Sequence, residues 1–86
     1  MTRVLIVDDD VETARALSRQ LSRRGFDPEI AVDRPGALAR FDLAPANIVL
    51  LDLLLPGLDG LQVCRELRAR GRVPIIMVTG RDGEID

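Results

Sequence analysis

A doubly wound α/β fold on a parallel sheet is the class this chain predicts. Short apolar runs alternate with segments of helical periodicity over the whole length. Alternation with connections this short implies parallel strands joined by right-handed crossovers. The apolar runs are continuous rather than alternating, as in strands covered on both faces. Two of them, VLIVDDD (4–10) and NIVLLDLLLPGLDG (47–60), run directly into acids.

The elements follow in order. RVLIV (3–7) reads as a buried strand. The next segment places Val11, Ala14, Leu17 and Leu21 on one helical stripe, arginines on the other, and Gly25 as the stop. FDPEIAV (26–32) is a weaker strand whose Pro28 suits a sheet edge. DRPGALARFDL (33–43) reads as a short helix with Asp33 as its cap, Pro35 in the first turn, and Leu38 and Phe41 toward the core. NIVLL (47–51) is the next buried strand, and GLQVCRELRARG (60–71) is a helix ending at Gly71. VPIIMVT (73–79) is a fourth strand, with Pro74 tolerated near its start.

Composition narrows the function. Eighty-six residues hold at most one small domain. A net charge of −2, with no basic run and no aromatic platform, argues against nucleic-acid binding by this segment. Every cationic residue is arginine, and the absence of Lys and His removes Schiff-base and histidine chemistry and the usual zinc sites. Cys64, the single cysteine, falls in step with Leu61 and Leu67 and reads as a reduced core thiol, which suits a cytoplasmic setting. No run approaches membrane-spanning length, and the apolar start is too short and too soon acidic for a signal peptide.

Strands that run parallel bring their C-terminal ends to one edge of the sheet, where open α/β sheets bind ligands. Asp8 and Asp9 end the first strand, Asp52 the third and Thr79 the fourth. If the first and third strands are neighbours, their acids share one crevice. At ~4 Å and an effective dielectric of ~20, each carboxylate pair repels by about 4 kcal/mol. Either some acids stay protonated or a cation sits among them. Carboxylates, a carbonyl and waters suit Mg²⁺, and Asp52 could then attack a phosphoryl group while a Thr79 hydroxyl donates to its oxygens.

Each residue also has a purely structural reading. Asp9 with Glu12 matches an Asp-x-x-Glu capping box. Asp10 reads as a cap or a solvated acid, and Asp59 as turn and cap chemistry. Thr79 is an ordinary strand residue. Asp8 lies closer to the buried strand, and Asp52 has no helix directly behind it to cap, so these two are the least structural.

Taken together, VLIVDDD, NIVLLDLLLPGLDG and VPIIMVTG, in that order and spacing, resemble the receiver domain of two-component response regulators. The likeness spans residues 1–86 as a single receiver domain. LQVCRELRARG and TGRDGEID look most like the subfamily with a winged-helix DNA-binding output domain. The resemblance implies a flavodoxin-like sheet of order 2-1-3-4-5. It implies that Asp52 accepts a phosphoryl group from the phosphohistidine of a sensor histidine kinase. Asp9, Asp52 and the Leu54 carbonyl would ligate Mg²⁺, with Asp8 acting through water and Thr79 as the switch hydroxyl. Pro56 and Gly60 would shape the adjoining loop, and Gly80 stands where a small Ala is more usual.

Receivers of this family continue for about 35 more residues, through a fourth helix, a fifth strand and a fifth helix. The fifth-strand lysine and the switch aromatic therefore have no counterpart, and the chain reads as a receiver incomplete at its C-terminus. Two expectations follow: impaired phosphotransfer, and an exposed edge at VPIIMV through which two copies could pair.

The leading expectation is a signalling switch rather than a metabolic enzyme, with transcriptional output in a separate domain. Two alternatives compete. Asp8-x-Asp10 after a strand is similar to the start of Mg²⁺-dependent haloacid-dehalogenase phosphatases, with Asp8 as nucleophile, although the later lysine and acidic motifs of that class are absent. The other alternative is an interaction module that is never phosphorylated.

Overall fold

Four consecutive residues, Val4 to Val7, have only hydrocarbon to present to either side of a strand, and all four are at most 3% exposed. The computed structural model, which describes residues 1–52 and 60–78, places them at the centre of the fold. The described elements are β1 (Arg3–Val7), α1 (Val11–Arg23), β2 (Asp27–Ala31), α2 (Arg34–Leu43), β3 (Ile48–Asp52), α3 (Gly60–Arg70) and β4 (Ile75–Val78). The strands form one parallel sheet in the order β2-β1-β3-β4. The expected α/β class, element order and β1–β3 adjacency all hold.

Alternate residues of each strand feed two separate cores. Leu5, Val7, Val49 and Leu51 face α2 and α3, where Ala37, Phe41, Val63 and Leu67 close over them. Val4 and Ile6 face α1, packing against Ala14 with Leu17, Leu21 and Leu50 around them. The first face is sealed, with Val49, Leu51, Val63 and Leu67 all at 0% exposure. The second is covered by α1 alone among the described elements, so Leu50 stays half-buried and Ile76 is 38% exposed.

Local chemistry sets the boundaries. Gly25 adopts φ of 89°, a left-handed conformation that L side chains rarely take, and its N–H closes α1 onto the Ser22 carbonyl. Asp33 caps α2 by accepting the Gly36 N–H at 2.7 Å, and Pro35 lies in the first turn, both as the sequence predicts. Pro28 lies on the edge strand β2. Pro74 precedes β4, where its carbonyl still accepts the Val49 N–H. At the β1–β3 entrance, Arg3 N–H donates to Asn47 Oδ1 and Asn47 N–H returns the bond to the Arg3 carbonyl.

Two details depart from expectation, and a third settles a choice between two readings. Val11 begins α1 but is 41% exposed, because the buried stripe starts one turn later at Ala14. In α2 it is Ala37, at 0%, that reaches deepest beside Phe41, while Leu38 is half-buried at the margin of the core. Of the two capping readings, Asp9 with Glu12 and Asp10, the structure selects Asp10, whose Oδ1 accepts from the backbone N–H groups of Glu12 and Thr13 and whose Oδ2 accepts from Thr13 Oγ1 at 3.0 Å. Helical geometry starts at Val11, so only Asp10 stands where a side chain can reach the free N–H groups of the first turn.

Candidate functional site

The β1–β3 ladder pairs Val4 with Ile48 and ends at Val7 with Leu51. Asp8 and Asp52 are the next residues on each strand. They follow the same alternation as Ile6 and Leu50, and so belong to the α1 side of the sheet. Asp8 is pinned from behind by its N–H, which donates to the Ala31 carbonyl of β2 at 3.0 Å. Asp52 is held in β3 by its register partner Val78 of β4. Neither acid owes its position to a flexible loop.

The two environments differ. Asp8 is 4% exposed, the only buried charged side chain among the described residues, and its Oδ1 accepts the Asp10 N–H at 2.9 Å. Burial pushes its carboxyl above the usual aspartate range. The Asp10 N–H opposes this shift, and the charge of Asp52 adds to it, followed by those of Asp10 and Asp9. Asp10 goes the other way, held below the usual range first by its Thr13 hydroxyl bond and then by backbone donors. Asp52 and Asp9 are both half-buried.

A small pocket of about 50 Å³ opens between the acids and α1. Asp8 and Asp52 lie on its rim, Thr13 and Leu17 form its α1 wall, and Ile6 and Leu50 form its floor. Thr13 is the residue that motif reading overlooked. The available signal was Asp10 three residues before a hydroxyl, a spacing that ties Thr13 to the cap, where its Oγ1 donates to Asp10 Oδ2.

The structure therefore brings Asp8 and Asp52 together, with Asp9 beside Asp8 in the chain. No group of three His, Cys, Asp or Glu side chains arranged for a metal ion occurs among the described residues. Leu54 and Thr79, expected as a ligand carbonyl and a switch hydroxyl, lie outside the described residues, as do Pro56, Asp59 and Gly80. Gly60 is described and is the buried first residue of α3. Cys64 is half-buried and reduced, packed against the α2–α3 core as expected. No helix among the described residues is long and apolar enough to cross a membrane.

Comparison with known proteins agrees with this geometry. The sensory transduction protein RegX3 of Mycobacterium tuberculosis is 56% identical over 86 residues, a span that is all of this chain and 38% of the relative. RegX3 of Mycolicibacterium smegmatis is 54% identical over the same shares. The chain thus spans about two fifths of the length of these curated relatives. Among solved structures, the Vibrio cholerae chemotaxis protein CheY4 superposes with a TM-score of 0.85 at 29% identity, covering 90% of this chain and 67% of that one. The complex of histidine kinase ThkA with response regulator protein TrrA gives 0.82 at 32% identity, covering 93% and 70%. A family model for the response regulator receiver domain matches residues 4–86. With its paired acids at the ends of adjacent parallel strands, this chain belongs to the response regulator receiver domain family.

Proposed function

We propose that the chain is the phosphoryl-accepting switch of a two-component pair, with Asp52 as the acceptor. The observation that carries this reading is the placement of Asp52 one rung past the Val7–Leu51 pair, beside Asp8 at the C-terminal rim of the sheet. Asp8 is the less accessible of the two acids, being 4% exposed, and burial pushes its carboxyl above the usual aspartate range. Asp52 is half-buried and opens onto the pocket. That contrast favours Asp52 over the phosphatase alternative, in which Asp8 would attack.

In the proposed step a carboxylate oxygen of Asp52 attacks the phosphorus of a phosphohistidine on a sensor kinase. The new O–P bond forms as the P–N bond breaks, and its electron pair returns to the imidazole. Asp52, Asp9 and the Leu54 carbonyl would hold Mg²⁺, with Asp8 through water; these hard oxygen donors, and the repulsion already felt at Asp8, fit a small divalent cation. When bound, the ion neutralises charge on the transferred oxygens. Thr79 would donate its hydroxyl to the acyl phosphate. The same reading makes the chain a cytoplasmic signalling element rather than a metabolic enzyme, with a DNA-binding output domain in the longer protein. The response regulator protein TrrA, solved in complex with histidine kinase ThkA, supports the choice of partner class.

Intact-mass analysis after incubation with acetyl phosphate and Mg²⁺ tests the assignment. A phosphoryl adduct that disappears in Asp52→Asn and survives in Asp8→Asn is expected. An adduct retained in Asp52→Asn would move the acceptor elsewhere. A second copy adding along β4, the last strand in the described order, is the proposed route to a homodimer. A sedimentation profile that stays monomeric at high concentration would remove it.

A further inference from the structure

Both oxygens of the Asp10 carboxylate are engaged. Oδ1 accepts the Glu12 and Thr13 N–H groups at 3.1 and 3.4 Å, and Oδ2 accepts the Thr13 hydroxyl at 3.0 Å. An N-cap is complete with the first of these oxygens, because only the free N–H groups of the first turn need an acceptor. The hydroxyl bond is therefore surplus to the cap. It is also the shortest of the three, and what it fixes is the direction of the second oxygen.

Two features tie that oxygen to the acid pair. Asp10 N–H donates to Asp8 Oδ1 at 2.9 Å, so the extended backbone of Asp10, at φ −87° and ψ 101°, sets how the Asp8 carboxylate is held. Thr13 itself stands in the α1 wall of the pocket that Asp8 and Asp52 rim. A carboxylate released at Asp10 would be a further acid beside a pair that already repels. Burial, and then the charges of Asp52, Asp10 and Asp9 in that order, push the Asp8 carboxyl upward against the Asp10 N–H.

We propose that Thr13 is a positioning residue of the acid site. Its hydroxyl holds the Asp10 carboxylate against the helix end, which steadies the N–H that Asp8 accepts. The same bond keeps another carboxylate from competing with Asp9 and Asp52 for a divalent cation. This role rests on the phosphoacceptor reading of Asp52.

Amide NMR of the 86-residue chain gives two readouts, one of them without metal. In the metal-free protein the Asp10 amide should exchange with solvent faster in Thr13→Val than in wild type, and at the wild-type rate in Thr13→Ser. On titration with Mg²⁺, Thr13→Val should bind about two- to tenfold more weakly, the worth of one ordinary hydrogen bond. Thr13→Ser should restore binding. Arg19→Gly, an exposed change within α1 that weakens the helix elsewhere, should leave Mg²⁺ affinity unchanged. In an Asp10→Ala background, Thr13→Val should have no further effect, because the hydroxyl acts through that carboxylate. Should Thr13→Val fail to fold, Thr13→Ala gives the same comparison.

Wild-type affinity in Thr13→Val, no rescue by Thr13→Ser, or a full effect of Thr13→Val in the Asp10→Ala background overturns the proposal. Mg²⁺ binding that survives Asp52→Asn undiminished overturns the site reading and this role with it. Binding lost in Asp52→Asn but untouched in Thr13→Val removes Thr13 alone.

Discussion

Asp8 and Asp52 stand side by side at the ends of adjacent parallel strands, one residue beyond the Val7–Leu51 rung, and burial, with the charge of Asp52 adding to it, pushes the Asp8 carboxyl above the usual aspartate range. A sheet that needed only stability would put hydrocarbon at both positions.

The pairing has a signed pH consequence. Asp8 has a higher pKa folded than unfolded, so between its ordinary value of 3.8 and its raised value the native state holds more protons. Its contribution is therefore most favourable below 3.8 and is lost as pH rises through the raised value. Asp8→Asn keeps an oxygen for the Asp10 N–H and removes the charge. Urea unfolding at neutral pH should show the variant more stable than the wild type. It should also show a flatter pH profile above the usual aspartate range.

Mg²⁺ should reverse the cost of the acid pair. A ligand that binds only the folded state stabilises it by about 2.7 kcal/mol at a hundred times its dissociation constant. Thermal unfolding of the chain is expected to shift upward with Mg²⁺, and to shift much less in Asp52→Asn. An identical shift in both would place the ion away from Asp52.

Asp10 acts locally. It accepts from two backbone N–H groups and from the Thr13 hydroxyl at the start of α1. Asp10→Ala should lower stability, as loss of an N-cap does. Asp10 is held below the usual aspartate range, so its contribution is complete above the ordinary value and fades as pH falls through the lowered one. Denaturation curves of wild type and variant should therefore converge in acid.

Leu51 tests the sealed face. It is 0% exposed, in a strand flanked on both sides, and packs in the core under α2 and α3. Leu51→Ala should cost about 2–5 kcal/mol. Leu61→Ala, at a position 56% exposed on α3, should change stability by less than about 0.5 kcal/mol. Chemical denaturation of the two variants gives the comparison directly.

Much of this architecture was legible in the chain because it is local. Apolar runs of strand length, the Asp33–Pro35 helix start and the Gly25 stop each act within a few residues, and each produces the predicted element. The location of acids at strand ends was equally plain, since sequence order alone puts Asp8 after Val7 and Asp52 after Leu51.

Other features are relations between distant segments, which periodicity cannot report. Whether Asp9 or Asp10 caps α1 is decided by the first helical turn beginning at Val11. Ala37 holds the deepest position in α2, at 0% exposure, with Leu38 at the margin of the core, and which of the two goes deeper depends on what packs over the helix. The sequence by itself determined which residues can be strands, helices and acids. Tertiary structure decided that β1 and β3 lie side by side in register, and only that register turns two separate carboxylates into one site, because charge interaction depends on distance through space.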